Sequence, residues 1–426
     1  MSLLIKNGKV INPATNTEEV LDVLLEGEKV VAVAQNIETE AERVIDASDC
    51  YVMPGFIDLH VHFRDPGLTY KEDLRTGGMA AVKGGVTTVV AMPNTKPVID
   101  TREKVEAVNA RALRESPTKV IQLGAVTKGQ EGKELSEIAA MGSAGCFGIS
   151  EDGKSVMDSG LYKEGMKVAA ANDLVVFAHC EDINLVKGGV ANADENAKRL
   201  GLKGITNSVE DVIVARDIIL AGEVKGKLHL CHCSTKDSIR MVKEAKEAGI
   251  RVTAEVCPHH FILTTDDIKE DDGNFKMNPP LRTKADVLAL REGLKSGVID
   301  AIATDHAPHS EEEKNVGFAK AAFGIVGLET SAALTYTELV LPGVLSIMQM
   351  AERMSVTPAK ILGLSDRGNI APGMNGDVVI FDPEKEGVID KNNFVSKGKN
   401  TPFDGRKVKG EVRVTIVDGN VVYERE

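Results

Sequence analysis

The sequence predicts an α/β fold: a (β/α)8 TIM barrel carrying a small β-sandwich formed from the N- and C-terminal segments. Three observations point there. Between about Pro54 and Leu364, eight short apolar runs alternate with helix-like stretches, the order that parallel strands and crossover helices produce. The two chain ends read differently, as short strands joined by tight turns. The turn after the first apolar run, His60-Val61-His62-Phe63-Arg64-Asp65-Pro66-Gly67, lacks the Gly-x-Gly-x-x-Gly pattern that an open dinucleotide-binding sheet, the structural alternative, would carry.

The chain opens with LLIKNGKVI, DVLLEGEKVVAVA and RVIDASDCYVMPG, three β-like segments. Lys6-Asn7-Gly8 and Glu26-Gly27-Glu28 are hairpin-type turn signals within them. The eight runs follow: FIDLHVH (56–62), VTTVVAM (86–92), VIQLGAV (120–126), GCFGIS (145–150), LVVFAHC (174–180), KLHLCHC (227–233), RVTAEVC (251–257) and VIDAIATD (298–305). Unbroken apolar runs of this length suit parallel strands buried on both faces. Between them, REKVEAVNARALRES and TKDSIRMVKEAKEAGI place apolar residues near helical spacing among charges. The middle exceeds the ~250 residues typical of such a barrel. The end of the chain, GDVVIFDPEKEGVI and then VRVTIVDGNVVYERE with an Asp-Gly-Asn turn, is β-like again. The expected division is 1–53 with 365–426 as a composite β-sandwich and 54–364 as the barrel, two separate β-caps being the alternative.

Composition narrows the function classes. The 426 residues include 51 Lys+Arg and 64 Asp+Glu, a net charge of −13. A sequence pI near 5.3 and no Trp argue against a nucleic-acid binder, which needs basic patches and stacking platforms. No apolar run reaches the ~18–20 residues that span a bilayer. The start, MSLLIKNGKVINP, turns polar too soon for a secretory segment, so a cytoplasmic location with six free Cys is expected.

Functional groups of a barrel gather at the C-terminal strand ends. Read in order, those ends supply His60 and His62, Asn94, Asp152, His179, His232, the pair His259-His260, and Asp305. Strand residues i and i+2 share a face, so His60 and His62 can grip one cation, at roughly 2.0–2.1 Å for zinc. By itself His-x-His is also compatible with two core-edge histidines; the other polar strand ends favour the metal. Asp152 stands in an Asp-Gly turn signal, yet in this company its carboxylate can bridge two cations. Asp305 can take a proton from an attacking water and return it to a leaving amide nitrogen. Cys231 and Cys233 flank His232, so strand alternation turns both away from the mouth as packing thiols.

The motifs PGFIDLHVHFRDPG (54–67), AMPNT (91–95), HCSTK (232–236), NPPLR (278–282), ATDHAPH (303–309) and NTPFDG (400–405) resemble the dihydroorotases of the amidohydrolase superfamily, in their longer, type I bacterial form. The resemblance runs essentially end to end. It implies a distorted barrel and reversible cyclisation of N-carbamoyl-L-aspartate to L-dihydroorotate and water, in de novo pyrimidine (UMP) biosynthesis. It also implies Zn2+, one or two per chain with two expected. His60, His62 and Asp305 would hold one ion and His179 and His232 the other, with Asp152 bridging and Asp305 doubling as general acid/base. Arg64, Asn94 and His309, beside His62, would bind the substrate carboxylate; Asn278 and the backbone of Phe323 and Gly324 would meet the ring.

Two departures stand out. Many superfamily members bridge the metals with a carboxylated lysine, where this chain has Asp152, with Lys154 a loop residue nearby. Ala322 precedes Phe323-Gly324 where relatives often have proline. The stretch from Ser310 to Gly324, with its Glu311-Glu312-Glu313-Lys314 run, is expected to be a mobile lid. A hydantoinase or allantoinase is the alternative within the class. A silent structural partner of aspartate transcarbamoylase is the alternative outside it. The resemblance leaves open a homodimer and, for an active enzyme, association with aspartate transcarbamoylase.

Overall fold

The computed structural model describes residues 2–425. Eight parallel strand positions ring the barrel: Phe56–Val61, Val86–Ala91, Lys119–Gln122 continued by Gly124–Ala125, Gly148–Ser150, Val175–Ala178, Lys227–Leu230, Val252–Val256 and Ala301–Ile302. They form a three-stranded and a six-stranded arc. The arcs meet on one side where Leu123 N donates to Ala91 O at 3.0 Å. On the other side a parallel bridge joins Val61 to His306, and His62 N donates to His306 O at 2.8 Å. The ring is distorted because its last strand is only two residues long.

Strand alternation explains the double burial. Ile57, Leu59, Val90, Met92, Ile121, Phe177, Ala301 and Ala303 fill one cluster inside the ring. Val89, Ile149, Val176, Leu228, Leu230, Val256 and Ile302, on the opposite strand faces, join the larger core with the helices. Among these helices are Arg102–Glu115 and Lys236–Glu247, where the helical spacing predicts them. The second begins at Thr235, whose hydroxyl accepts Ser238 N at 3.1 Å, and it turns Ile239, Val242 and Ala245 inward.

The chain ends meet in a single eight-stranded sheet. Tyr51–Pro54 pairs antiparallel with Val378–Val388, which excludes two separate caps. Leu3, Ile5, Val23, Leu25, Val52, Val378, Ile380, Val414 and Ile416 make its core. Each such side chain, fully buried, contributes roughly 1.5–3 kcal/mol. One turn signal behaves differently from expectation: Lys6-Asn7-Gly8 does not reverse the chain. Asn7 takes φ 62° and makes a bulge inside the strand Ser2–Asn12, its N–H held by Asp22 Oδ1 at 2.9 Å. Gly27 and the Asp418–Gly419 pair, all at positive φ, do make hairpin turns. Among the described residues, no helix is long and apolar enough to cross a membrane.

Candidate active site

Period-2 alternation and two breaks in it aim the polar strand ends. In the fifth strand, Val175 and Phe177 face the ring interior and His179 continues their row into the mouth. In the first strand, Ile57 and Leu59 face inward, so strict alternation would send Val61 into the mouth. A register shift between Asp58 and Val61 switches the parity, and His60 and His62 take that place. His232 and Asp305 adopt φ of 34° and 48°, left-handed conformations unusual for these residues, which turn their side chains toward the same centre.

Asp152 is the hub. Its Oδ1 lies 3.2 Å from His60 Nε2, 3.4 Å from His179 Nδ1 and 3.5 Å from His232 Nε2, and its Oδ2 lies 3.4 Å from His62 Nε2. Asp305 Oδ1 completes the group, 3.0 Å from His62 Nε2 and 3.6 Å from His60 Nε2. All six residues are buried. Three of the four rings are held from behind. His60 Nδ1–H donates to Glu255 at 3.0 Å, His62 Nδ1–H to Asn94 Oδ1 at 2.9 Å, and His179 Nε2–H to Glu181 at 3.2 Å. Each of these bonds leaves the inward nitrogen as a lone pair, the tautomer that binds metal. His60 Nε2 and Asp152 Oδ1 are buried with no hydrogen-bond partner. Unpaired lone pairs on imidazole and carboxylate, converging in groups such as His60-His62-Asp305 and His60-Asp152-His232, fit a divalent cation.

Above this floor opens a cavity of ≈ 340 Å³, and every substrate-binding residue expected from the sequence lines it: His62, Arg64, Asn94, Asn278, His309, Phe323 and Gly324. Arg64 is buried, its Nε donating to Pro308 O at 3.3 Å and its Nη2 3.3 Å from His309 Nε2. Asp65 pairs instead with Arg111, at 2.7 and 2.8 Å, which frees Arg64 for the mouth. His309 Nε2–H donates to Phe323 O at 2.8 Å. Burial, then the positive charges of Arg64 and Lys71, push His309 down to about 3, so its ring is neutral. Burial would raise the Asp305 carboxyl. In the metal-free site a proton on His62 Nε2, 3.0 Å away, and the charge of a doubly protonated His60 hold it below the usual carboxylate range, the place a cation would take.

Three groups of this site escape a strand-end reading of the sequence. Glu181 lines the cavity, binding His179 and accepting Asn278 Nδ2 at 3.0 Å; its signal was the two-residue offset from His179. Glu255 sits inside the seventh strand, between His60 and His229 at 3.0 Å each; an acid within an apolar run was its signal. Burial lifts the Glu255 carboxyl, yet the bonds from His229 and His60 outweigh it and bring it to about 2. Asp58 accepts His60 N and Thr304 N at 3.0 and 3.2 Å and so ties the first strand to the eighth.

One expectation needs correction. Cys233 packs outward, but Cys231 lies in the ring interior with its sulfur near His60 and Glu255, because the positive φ of His232 breaks the alternation. Burial pushes that thiol well above its ordinary value, outside the reactive range. The stretch expected to be a lid, Ser310 to Gly324, is anchored at several residues and exposed between them. Ser310 and Glu313 form a capping box, Glu313 pairs with Lys71 at 2.7 Å, and Lys314, Phe318 and Ala321 are buried. Lys154 is a loop residue as expected, donating to Gln130 O at 2.9 Å.

Solved structures share this architecture. An L-hydantoinase (dihydropyrimidinase) from Arthrobacter aurescens superposes with a TM-score of 0.90 at 28% identity, covering 99% of this chain and 96% of that one. A D-hydantoinase from a Thermus species gives 0.86 at 28%, covering 99% and 95%. The barrel and its histidine–carboxylate floor define a cyclic amidohydrolase. A family model described as dihydro-orotase-like matches residues 50–238. Curated dihydroorotases of Acetivibrio thermocellus and Bacillus subtilis are 46% and 47% identical over 424 residues, covering 100% of this chain and 99% of each relative. The chain belongs to the dihydroorotase family.

Proposed function

We propose that the chain is a dihydroorotase, interconverting N-carbamoyl-L-aspartate and L-dihydroorotate plus water in pyrimidine biosynthesis. The observation that carries this reading is Arg64 buried beside His309 and Asn94 on the wall of a cavity floored by the Asp152 cluster. Such a site suits a substrate with an amide to open and a carboxylate to hold. A hydantoin carries no carboxylate and would leave the guanidinium fork with no ligand group to bind.

Zinc, two ions per chain, is the metal we assign to His60, His62 and Asp305, and to His179 and His232, with Asp152 between. A cation there would polarise the amide carbonyl and make a neighbouring water more acidic. The side chains do the rest. Arg64 offers a fork to the substrate carboxylate, and Asn94 and neutral His309 add polar contacts that carry no competing charge. Asn278, its amide fixed by Glu181, faces the ring together with the Phe323–Gly324 backbone. Asp305, ionised and 3.0 Å from His62 Nε2, accepts the proton of the attacking water and delivers it to the amide nitrogen. Ring closure retraces these steps.

The test is metal analysis per chain together with turnover of dihydroorotate, hydantoin and allantoin by the metal-loaded protein. Turnover of hydantoin with none of dihydroorotate would sink the reading. Arg64→Met should raise KM for dihydroorotate about 10–100-fold, the loss of one charge-assisted contact, with unchanged metal content. The family resemblance also supports a cytoplasmic location and association as a homodimer or with aspartate transcarbamoylase, which sedimentation of the mixed proteins would check.

A further inference from the structure

The corner Ala322–Phe323–Gly324 brings Phe323 and Gly324 to the cavity but belongs to no helix or strand, so other groups must hold it in place. Two buried side chains from different parts of the chain do so. Lys314 Nζ donates to Ala322 O at 2.8 Å, Gly324 O at 2.9 Å and Lys276 O at 3.1 Å. Three carbonyl oxygens surround the nitrogen, as many acceptors as an ammonium group has hydrogens. Asn400, from the segment after the barrel, uses its whole amide. Its Nδ2 donates to Ala307 O and Gly324 O at 3.0 Å each, and its Oδ1 accepts His309 N at 3.1 Å. The two side chains therefore share one acceptor, the Gly324 carbonyl. Gly324 also approaches closely, at φ 127°, where a Cβ would come within 2.6 Å of the Ala307 Cβ.

We propose that Lys314 and Asn400 are positioning residues for substrate recognition, holding His309 and the Phe323–Gly324 backbone at a fixed spacing from Arg64. The inference rests on the dihydroorotase reading of this cavity. Neither side chain lines the cavity or reaches the Asp152 cluster. Their loss should loosen the wall that grips the substrate and leave the floor intact. A displacement near 1 Å at such a wall costs up to ~100-fold.

The test compares wild type, Asn400→Ser and Lys314→Met for kcat and KM on dihydroorotate, metal per chain and Tm. The expected result is a KM raised about tenfold or more, kcat within about threefold and unchanged metal content. Asn400→Gln, which keeps the amide one methylene displaced, should lie between wild type and Asn400→Ser. A native KM in any soluble variant overturns the proposal, and so does a joint fall of kcat and metal content at constant KM. If Lys314→Met does not fold, Asn400→Ser decides alone. An inactive wild-type protein would overturn the dihydroorotase reading, whereas an active one with indifferent variants overturns only the positioning role.

Discussion

Asp305 faces the histidine cluster, and the proposed reaction gives it a second duty, carrying a proton. Asp305→Ala should therefore lower kcat by at least the ~10²–10⁴-fold typical of a lost general base, with the far-ultraviolet spectrum of the wild type retained. Retention of turnover would assign the proton to another group. Glu255 acts one step back, through His60 and His229. Its folded carboxyl sits at about 2 against an ordinary 4.5. A depressed acid stabilises the fold fully above pH 4.5, and that contribution is lost as the pH falls from 4.5 towards 2. The size is about 3 kcal/mol. Urea midpoints of the metal-free protein between pH 5 and 3 should fall less steeply in Glu255→Gln than in wild type. Equal slopes would remove Glu255 from the acid transition.

At the scale of elements, the site depends on rows of side chains that rise through the ring. Phe177 is fully buried in the interior row directly below His179, and its ring meets His229 edge-on at 5.1 Å. His229 in turn holds Glu255, and Glu255 holds His60. Phe177→Ala opens a void under this relay and should cost about 3–5 kcal/mol, read as a lower urea midpoint. Metal content should fall with it, because the orienting chain to His60 loses its support. A destabilised variant that still binds metal normally would show that the floor and the relay are independent.

At the scale of the whole molecule, the chain ends are joined to the barrel by specific contacts. Lys119, at the foot of the third strand, reaches Asp377 and Asp418 at 2.6 Å each, and Thr415 Oγ1 donates to Val82 O at 2.6 Å. A chain stopped at Leu364 would lack Val378–Val388, Lys407–Val417 and Asn420–Glu424, three of the eight strands of the terminal sheet. It would expose Leu3, Ile5, Val23 and Val52, and should aggregate instead of yielding a stable barrel. A monodisperse, cooperatively melting truncated protein would refute that dependence.

The sequence by itself determined the order of strands and the kind of group at each strand end. Apolar runs such as VTTVVAM and the alternation in LVVFAHC are properties of near neighbours, and period 2 then says which residue enters the mouth. The shared face of His60 and His62, the inward aim of His179, and the joining of the two β-rich ends were legible on that basis, although strict alternation alone would have placed Val61 in the mouth. Tertiary structure alone decided where alternation fails: the register shift before His60, the left-handed turns at His232 and Asp305, and Cys231 beneath His60. It also decided which distant groups meet, Glu255 with His60 and Asn400 with Gly324, and which residues anchor the stretch from Ser310 to Gly324. Periodicity is written locally, whereas hydrogen bonds between residues dozens to hundreds of positions apart exist only once the ring has closed.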